Sequence, residues 1–234
     1  MRTSLFIAAI LTAIASPALA ADRNFGVSGF TKIRVDGPYK VTLTTGVAPF
    51  ARATGSSTAL DRVAITVNGE TLVVRPATSA WGGFPGADVG PVQIEIGVHD
   101  LNNALLNGAG SLSISNVRGL NFALSVQGSG DVTIGNVESD NMTVTLMGSA
   151  NVKLSGKTKK FVALVRGMST LDAGSLLAND ANIGAEGSTT IDANISNSAK
   201  IDATGNATVR VAGGPSCATK TAGSSTVSGC KSSN

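Results

Sequence analysis

A glycine followed by small residues and a short alternating strand recurs through the second half of the chain. The steps between successive glycines of this phrase are 20, 20, 19, 20, 18 and 18 residues. Repetition at a fixed period near 20 residues is typical of solenoids, in which each repeat forms one coil and buries its apolar side chains by stacking on its neighbours. The glycines are Gly108, Gly128, Gly148, Gly167, Gly187, Gly205 and Gly223.

Within each repeat the apolar side chains alternate with polar ones, which is the period of β-strands rather than of helices. Apolar residues stand four and six positions after the glycine, as Leu112 and Ile114 do, and a longer strand with three inward positions follows, as at Phe122, Leu124 and Val126. Glycine is expected at each corner because it tolerates positive φ. The sequence therefore predicts an all-β fold, a parallel β-helix of eight to ten coils of about 18–20 residues each.

Aligning the repeats on their inward residues predicts which outward side chains lie side by side, about 4.8 Å apart. One like-charge contact, Asp172 beside Asp192, appears in this alignment. Five opposite-charge neighbours also appear, and such pairs stabilise a sheet modestly. They are Lys153 with Asp172, Lys160 with Asp180, Arg166 with Glu186, Asp192 with Arg210, and Asp202 with Lys220.

Residues 1–20 have the pattern of a secretory signal peptide. Arg2 precedes an apolar run that ends at Ala15, and Pro17 stands shortly before the small residues of a cleavage site after Ala20. The apolar run is too short to span a bilayer. We therefore expect an exported chain without a membrane span, destined for the periplasm or the cell surface.

The charge balance argues against nucleic acid as a partner. The formal net charge of +3 comes from 18 basic and 15 acidic residues, and it falls further when Arg2 is removed with the leader. Proteins that bind nucleic acid carry a clustered basic surface, whereas the charges here are expected to neutralise one another between coils.

Residues 21–107 follow the same pattern less regularly. A glycine with apolar residues four and six positions later recurs at Gly37, and Asn68-Gly69 between two alternating segments predicts a hairpin closed by a type I′ turn. We expect residues 21–107 to form wider, irregular first coils that continue into the regular coils of residues 108–234, without a separate domain.

Three phrases in order along the chain resemble a known family. They are Gly37-Pro-Tyr-Lys-Val-Thr-Leu-Thr-Thr-Gly46, Asn68-Gly69-Glu-Thr-Leu72, and the repeated Gly-Ser-Gly-Asp phrase. They are similar to the GIN head domain family, which is catalogued as an autotransporter adhesin and was formerly a domain of unknown function. The resemblance covers about residues 28–214 and implies a right-handed parallel β-helix that is secreted or faces the envelope. It brings no established active site.

Cys217 and Cys230 are the only cysteines. In an exported chain we expect them to form a disulfide that fastens the last coil, where an open edge would otherwise fray or aggregate. The alternative is a redox or metal-binding pair. The distance of the single histidine, His99, from both cysteines favours the disulfide.

Few residues are candidates for catalysis. His99 is alone, so a His-cluster metal site cannot be built, and we expect it in a surface turn. Asp172 and Asp192 could act like the stacked carboxylates that hold calcium in polysaccharide lyases on β-helices, but their charged neighbours favour a structural ladder. We therefore expect no catalytic residue, no metal and no cofactor. The enzymatic alternative, a polysaccharide lyase or hydrolase, would need three or more close carboxylates and an unpaired basic residue.

Trp81 and Phe84 stand in a segment rich in glycine and proline, residues 77–91. Aromatic rings on loops stack on sugar rings or anchor protein partners. The alternative is that this segment folds back and plugs the open N-terminal end of the core.

Two groups of outward residues on the longer strand are also candidate contact sites. The polar group presents hydroxyls and amides to a ligand and comprises Asn141, Thr143, Thr145 and Asn182. The apolar group, in which we expect self-association or scattered surface residues, comprises Met147, Val162 and Leu164. The sequence thus indicates a non-catalytic, adhesin-like module that binds an envelope or extracellular polysaccharide or a surface protein. A self-associating structural envelope protein is a further alternative.

Overall fold

A computed structural model describes residues 21–77 and 90–231. The strands stack into a parallel β-solenoid of about six turns, which confirms the predicted parallel β-helix. The expected eight to ten coils were too many, because part of the N-terminal region forms antiparallel strands and a short helix instead of further coils. The predicted signal peptide lies outside the described residues.

The N-terminal strands join the same sheet as the regular coils, in two different ways. Strands β2, β3, β6, β7 and β8 form parallel pairs among themselves, whereas β1 pairs antiparallel with β4, β4 with β7, and β5 with β6. The elements are β1 (Ala21–Phe25), β2 (Lys32–Asp36), β3 (Lys40–Thr45), β4 (Phe50–Gly55), α1 (Ser57–Asp61), β5 (Val63–Asn68), β6 (Thr71–Pro76), β7 (Gln93–Val98) and β8 (Asn103–Gly108).

In the regular part, one long bent strand makes most of each coil and pairs in parallel with the next. These strands are β9 (Ser111–Gly128), β10 (Asp131–Gly148), β11 (Asn151–Gly167), β12 (Thr170–Gly187) and β13 (Thr190–Gly205). The last turn consists of shorter pieces, β14 (Thr208–Ala212), β15 (Ser216–Gly223) and β16 (Thr226–Ser228). The division of the chain at residue 108 stays a prediction, and β8 ends on that residue.

The register predicted from the apolar residues is correct. All five predicted opposite-charge neighbours are Cα partners, and Asp172 is the Cα partner of Asp192. Since a slip of one residue would turn every inward side chain to solvent, agreement at all these positions fixes the register along four coils. Three of the pairs form ion pairs, with N–O distances of 3.5 Å for Lys153–Asp172, 2.9 Å for Arg166–Glu186 and 3.3 Å for Arg210–Asp192.

The core is continuous along the solenoid. Both rows of predicted inward residues are buried, and Phe122 and Phe161 are its largest fully buried side chains. A third inward row, which the alternation does not reveal, lies at the corner between the short and long parts of the coil. It comprises Val117, Val137, Leu176 and Ile195.

The repeated glycines lie at the corners, with positive φ, as predicted. The structure adds a second reason for glycine. At Gly148, where φ is +120°, a Cβ would lie 2.3 Å from the carbonyl oxygen of Gly128 on the preceding coil. A Cβ at Gly167 would meet the oxygen of Gly148 at the same distance. The corners therefore stack backbone on backbone, and a side chain has no room there.

The predicted hairpin forms between β5 and β6, but the predicted turn type is wrong. Asn68 is the Cα partner of Thr71, so the two central residues are Gly69 and Glu70. Gly69 has φ of +59°, and no non-glycine residue among those described has positive φ. A type I′ turn needs positive φ at both central positions, whereas a type II′ turn needs it only at the first.

The two ends of the solenoid are closed differently. At the C-terminal end Cys217 and Cys230 form the predicted disulfide, with their Cα atoms 5.7 Å apart. After Cys217, the β15 residues in line with the inward row are Thr219, which stacks on Ile201, and Thr221, which stacks on Ala203. The apolar row therefore stops at this strand. A polar last repeat of this kind ends a solenoid core in water.

At the N-terminal end α1 packs on β4 and β5 and buries Leu60. Arg23 of β1 donates to the carbonyl of Leu60 at 3.0 Å and pairs with Asp61 at 2.6 Å. Its neighbour Asp22 accepts hydrogen bonds from Thr54 and Arg52 of β4, which hold the pKa of that carboxyl below its ordinary value. No helix within residues 21–77 and 90–231 has the length and apolarity that a membrane crossing requires.

Candidate functional site

The four polar residues predicted as ligand contacts share one surface. We call it the long-strand face, the outward side of residues 121–127, 141–147, 160–166 and 180–186 on β9 to β12. Its rows run from coil to coil along the solenoid axis. The partners in these rows are Asn141 with Lys160, Thr143 with Val162 and then Asn182, and Thr145 with Leu164 and then Gly184. Asn141, Thr143 and Asn182 are exposed and Thr145 is half-buried.

A cavity of about 490 Å³ lies on this face and contains two of the four residues. We call it the amide groove. The polar and exposed apolar side chains that line it are those of Lys32, Asp100, Asn102, Asn103, Arg118, Leu120, Asn121, Asn141 and Thr143. Thr145 and Asn182 do not line it.

The amide groove runs along the solenoid axis because it crosses β2, β8, β9 and β10, which are neighbours in that order. One row of Cα partners follows it, from Lys32 to Asn103, Ala123 and Thr143. The small side chain of Ala123 leaves the space in the middle of this row, and buried Phe122 contributes to the lining.

Two amides of the groove, on neighbouring coils, are hydrogen-bonded to each other. Nδ2 of Asn141 donates to Oδ1 of Asn121 at 2.9 Å and, more weakly, to the carbonyl of Leu120 at 3.4 Å. A carboxamide has two donor hydrogens and an acceptor oxygen with two lone pairs, so each keeps hydrogen-bonding capacity for a ligand. The groove therefore offers donors and acceptors in fixed positions.

Leu120 is the most exposed large apolar side chain among the described residues, at 71%. It follows Gly119, which has φ of +142° and turns the chain at the second corner of the coil. Its prominence was not predicted. The sequence does contain a signal for this exposed leucine, because the equivalent residues of the next two coils are the charged Asp140 and Lys159.

A smaller depression of about 180 Å³ adjoins the amide groove and shares Asp100 and Arg118 with it. His99 lines this depression, exposed in the turn after β7, where it was predicted. Its carbonyl accepts the N–H of Gly46 at 2.9 Å, which fixes the backbone of the turn.

Two coils farther along the axis, the same corner carries Lys157, Lys159 and Lys160, which we call the lysine corner. A second cavity, of about 370 Å³, lies at this corner, between Leu177 on β12 and residues 138–140 on β10. Thr158 is buried beneath the corner and donates to the carbonyls of neighbouring residues, so the backbone here is fixed while the lysine side chains extend outward.

The apolar residues proposed for self-association lie on the same face but are only partly available. Val162 and Leu164 are half-buried, and Met147 is 39% exposed. Leu164 lies against Gly184 of the next coil, because a Cβ there would come within 3.0 Å of its Cδ1. Its apolar surface is therefore covered in part by the chain itself.

The stacked carboxylates are neutralised as the charge-ladder interpretation predicts. Asp172 pairs with Lys153 and Asp192 with Arg210. Oδ1 of Asp172 also accepts the N–H of Gly174 at 3.3 Å. Within the described ranges, no three histidine, cysteine, aspartate or glutamate side chains are grouped so as to hold a metal ion. Trp81 and Phe84 lie outside the described residues.

Comparison with known proteins gives one family and several solved structures. The profile of the family described as "Putative auto-transporter adhesin, head GIN domain" matches residues 29–215. A "putative adhesin" from Bacteroides fragilis is 19% identical, covers 89% of this chain and 95% of its own, and superimposes with a TM-score of 0.77. No curated protein matches.

Two further crystal structures have the same fold. A "putative lipid binding protein" from Parabacteroides distasonis is 17% identical, with a TM-score of 0.71 and coverage of 90% of this chain and 96% of its own. A "putative adhesin" from Parabacteroides merdae is 14% identical, with a TM-score of 0.64 and the same two coverages. At these identities the likeness concerns the fold alone.

Proposed function

Because the chain belongs to the auto-transporter adhesin head GIN domain family, we propose that it is an exported, non-catalytic, adhesin-like module that binds an envelope or extracellular polysaccharide through the amide groove. The proposal includes removal of residues 1–20 during export to the periplasm or the cell surface. It needs no cofactor.

The observation that supports this function is the convergence of carboxamides around an exposed leucine. Asn102, Asn103, Asn121 and Asn141 border one groove with the side chain of Leu120. Sugar hydroxyls both donate and accept hydrogen bonds, as carboxamides do. The apolar C–H face of a sugar ring packs on an apolar side chain, so the combination suits a glycan better than a purely apolar ligand.

The shape of the groove supports a polymer rather than a single sugar. It follows the solenoid axis across four strands, and successive strands are about 4.8 Å apart. Its walls are strands with paired backbones, so little conformational entropy is lost when the ligand is bound. A linear chain can lie in it and contact several coils at once.

The remaining candidates fit into this proposal as secondary contacts. Thr145 and Asn182 would extend the surface beyond the groove, and Trp81 and Phe84 would add aromatic contacts to the polymer. A surface protein as ligand is the alternative within the same function. Self-association through Met147, Val162 and Leu164 is disfavoured because Leu164 packs on Gly184 within its own chain.

The test is retention of the exported protein on a panel of bacterial envelope and extracellular polysaccharides. Formation of new reducing or unsaturated ends is scored in the same tubes. We expect retention on at least one polymer and no new ends. New ends would refute the non-catalytic assignment, and they would direct mutagenesis to Asp172 and Asp192.

Two matched variants locate the binding surface. Asn141 donates to Asn121 of the preceding coil, and Asn151, on the short-strand side, donates in the same manner to Asp131 at 3.0 Å. Each alanine variant therefore loses one short hydrogen bond between coils, and Asn141→Ala also loses the weaker one to the carbonyl of Leu120 at 3.4 Å, but only Asn141→Ala alters the groove. We expect weaker retention for Asn141→Ala and unchanged retention for Asn151→Ala. Equal retention of both variants would refute the groove as the site.

A further inference from the structure

The lysine corner has more cations than acidic partners. Lys159 pairs with Asp140 at 2.9 Å. Glu138 is the Cα partner of Lys157, yet its carboxylate pairs with Arg118 at 3.3 Å. In the part of the chain that the structure describes, Lys157 forms no ion pair, and its ammonium group is exposed to solvent.

Lys160 lacks an ion pair for a different reason. Its Cα partner is Asp180, but that carboxylate accepts hydrogen bonds from Ser198 Oγ at 2.5 Å and from Asn197 Nδ2 at 2.8 Å. Both donors belong to the following coil and bond to Oδ1, so this oxygen is held by β13. The hydrogen bonds from Ser198 and Asn197, and more weakly the charge of Lys160, lower the pKa of Asp180. No ion pair of Lys160 is present among residues 21–77 and 90–231, although its acidic neighbour is in register.

The lysine corner continues the amide groove. Asn141 at the end of the groove is the Cα partner of Lys160, so the two residues are one strand apart, about 4.8 Å. Beyond them lies the cavity of about 370 Å³ that Leu177 and Asn179 border, together with Glu138 and Asp140, whose carboxylates pair with Arg118 and Lys159. A linear ligand that leaves the groove along the axis therefore passes over Lys157 and Lys160, which form no ion pair within the described ranges.

Cations recur along this path on alternate strands. Lys32 lies on β2, Arg118 on β9 and the lysine corner on β11, while β8 and β10, which lie between them, contain no lysine or arginine. Arg118 and Lys157 are both Cα partners of Glu138, so they lie in one row about 9.6 Å, or two strand separations, apart. Lys32 lies in a different row, with Ala123, and its ammonium group pairs with Glu70 at 3.3 Å. A polymer whose acidic groups have the spacing of the first row would meet Arg118 and then Lys157.

We propose that the ligand of the amide groove is a linear anionic polysaccharide that lies along the solenoid axis, with its acidic groups bound by Lys157 and Lys160. This inference rests on the proposed function, because it names the chemical class of the ligand for the same surface. Carboxylate, sulfate and phosphate groups share the required chemistry, since lysine binds oxyanions as a point charge without a fixed geometry.

The probe is polygalacturonate, compared with the same polymer after complete methyl esterification, which removes the charge and keeps the chain. The variant is K157Q/K160Q, and K40Q/K231Q is its matched control. All four lysines are exposed, and among the described residues none forms an ion pair, so both double variants lose the same charge without loss of an ion pair. Lys40 lies on the short-strand side, and Lys231 follows the disulfide.

We expect the charged polymer to bind and the esterified one to bind at least tenfold more weakly. K157Q/K160Q should weaken binding of the charged polymer roughly tenfold, as two surface charge contacts would, and K40Q/K231Q should not. Raising the salt concentration should reduce the difference between the two polymers.

Three results would overturn the inference. Equal binding of both polymers, weakened by Asn141→Ala, would refute the anionic ligand and leave the proposed function intact. Binding of neither polymer would refute the anionic polysaccharide, while the panel of other polysaccharides would judge the proposed function separately. Binding of vesicles that contain phosphatidylglycerol, but not of polygalacturonate, would assign the lysines to a lipid surface instead.

Discussion

Replacing Gly148 by alanine tests the claim that the corners stack backbone on backbone. Gly148 has φ of +120°, and an added Cβ would lie 2.3 Å from the oxygen of Gly128 and 3.1 Å from its carbonyl carbon. An L-residue with left-handed backbone costs about 1–2 kcal/mol. Moving packed atoms apart to relieve an overlap costs about 1–3 kcal/mol more. We therefore expect Gly148→Ala to lower the free energy of unfolding by about 2–5 kcal/mol, a large part of the roughly 5–15 kcal/mol of a typical domain.

Gly174→Ala is the matched control, on β12, two strands after the β10 strand that ends at Gly148. Gly174 does not have positive φ, and the nearest atom to its added Cβ is Oδ1 of Asp172 at 3.6 Å. Alanine there restricts the unfolded chain without strain in the folded one, so stability should stay the same or rise by up to about 1 kcal/mol. Urea denaturation followed by far-ultraviolet circular dichroism measures both variants. A Gly148→Ala protein as stable as the Gly174→Ala protein would refute the corner argument.

Three further predictions concern the ends of the solenoid and the hairpin. The double variant Cys217→Ser/Cys230→Ser should lower the free energy of unfolding by about 2–3 kcal/mol, because the disulfide closes a loop of 13 residues. Hydrogen exchange should show the loss of amide protection first in β15 and β16. A uniform loss of protection along the chain would contradict this prediction. Hydrogen bonds from Thr54 and Arg52 hold the pKa of Asp22 below its ordinary value of 3.8, so the stabilisation by this carboxylate is present above that pH and is lost as pH falls through the lowered pKa. The Asp22→Asn variant should therefore be less stable than the unchanged protein near neutral pH, and the two stabilities should converge in acid. Thermal melts as a function of pH measure this, and a stability difference that does not change with pH would contradict the prediction. Gly69→Ala should lower the free energy of unfolding by about 1–2 kcal/mol because Gly69 has φ of +59°, whereas Asn68→Ala should leave it nearly unchanged. If urea denaturation showed the same loss for both variants, the result would favour the type I′ turn instead.

The sequence predicted the stacking of the regular coils in detail. Alternation with a period of two assigns each side chain to a face, and the repeat length assigns it to a neighbour, so pairs such as Lys153–Asp172 follow without knowledge of the structure. The third inward row was missed because Val117 and Ile195 are single apolar residues at a corner, where no alternation marks them. The turn at Gly69 was misassigned by one residue because the dipeptide Asn-Gly does not itself fix which residues are central.

The amide groove could be predicted only in part. Asn141 and Thr143 were identified as outward polar residues, but their neighbours Lys32 and Asn103 come from strands whose order in the sheet no repeat specifies. Whether Lys160 forms an ion pair with Asp180 depends on the hydrogen bonds that Asn197 and Ser198 of the next coil donate to that carboxylate. Features that arise from side-chain contacts between coils therefore required the structure.

The most direct test of the account is to observe which asparagine side chains contact the polysaccharide. Side-chain amide signals in proton–nitrogen NMR spectra of the protein would be followed during titration with oligosaccharides of the polymer that retains it. The account predicts shifts for Asn102, Asn103, Asn121 and Asn141, and none for Asn151 on the short-strand side. Shifts at Asn151 with unchanged signals from the groove would contradict it.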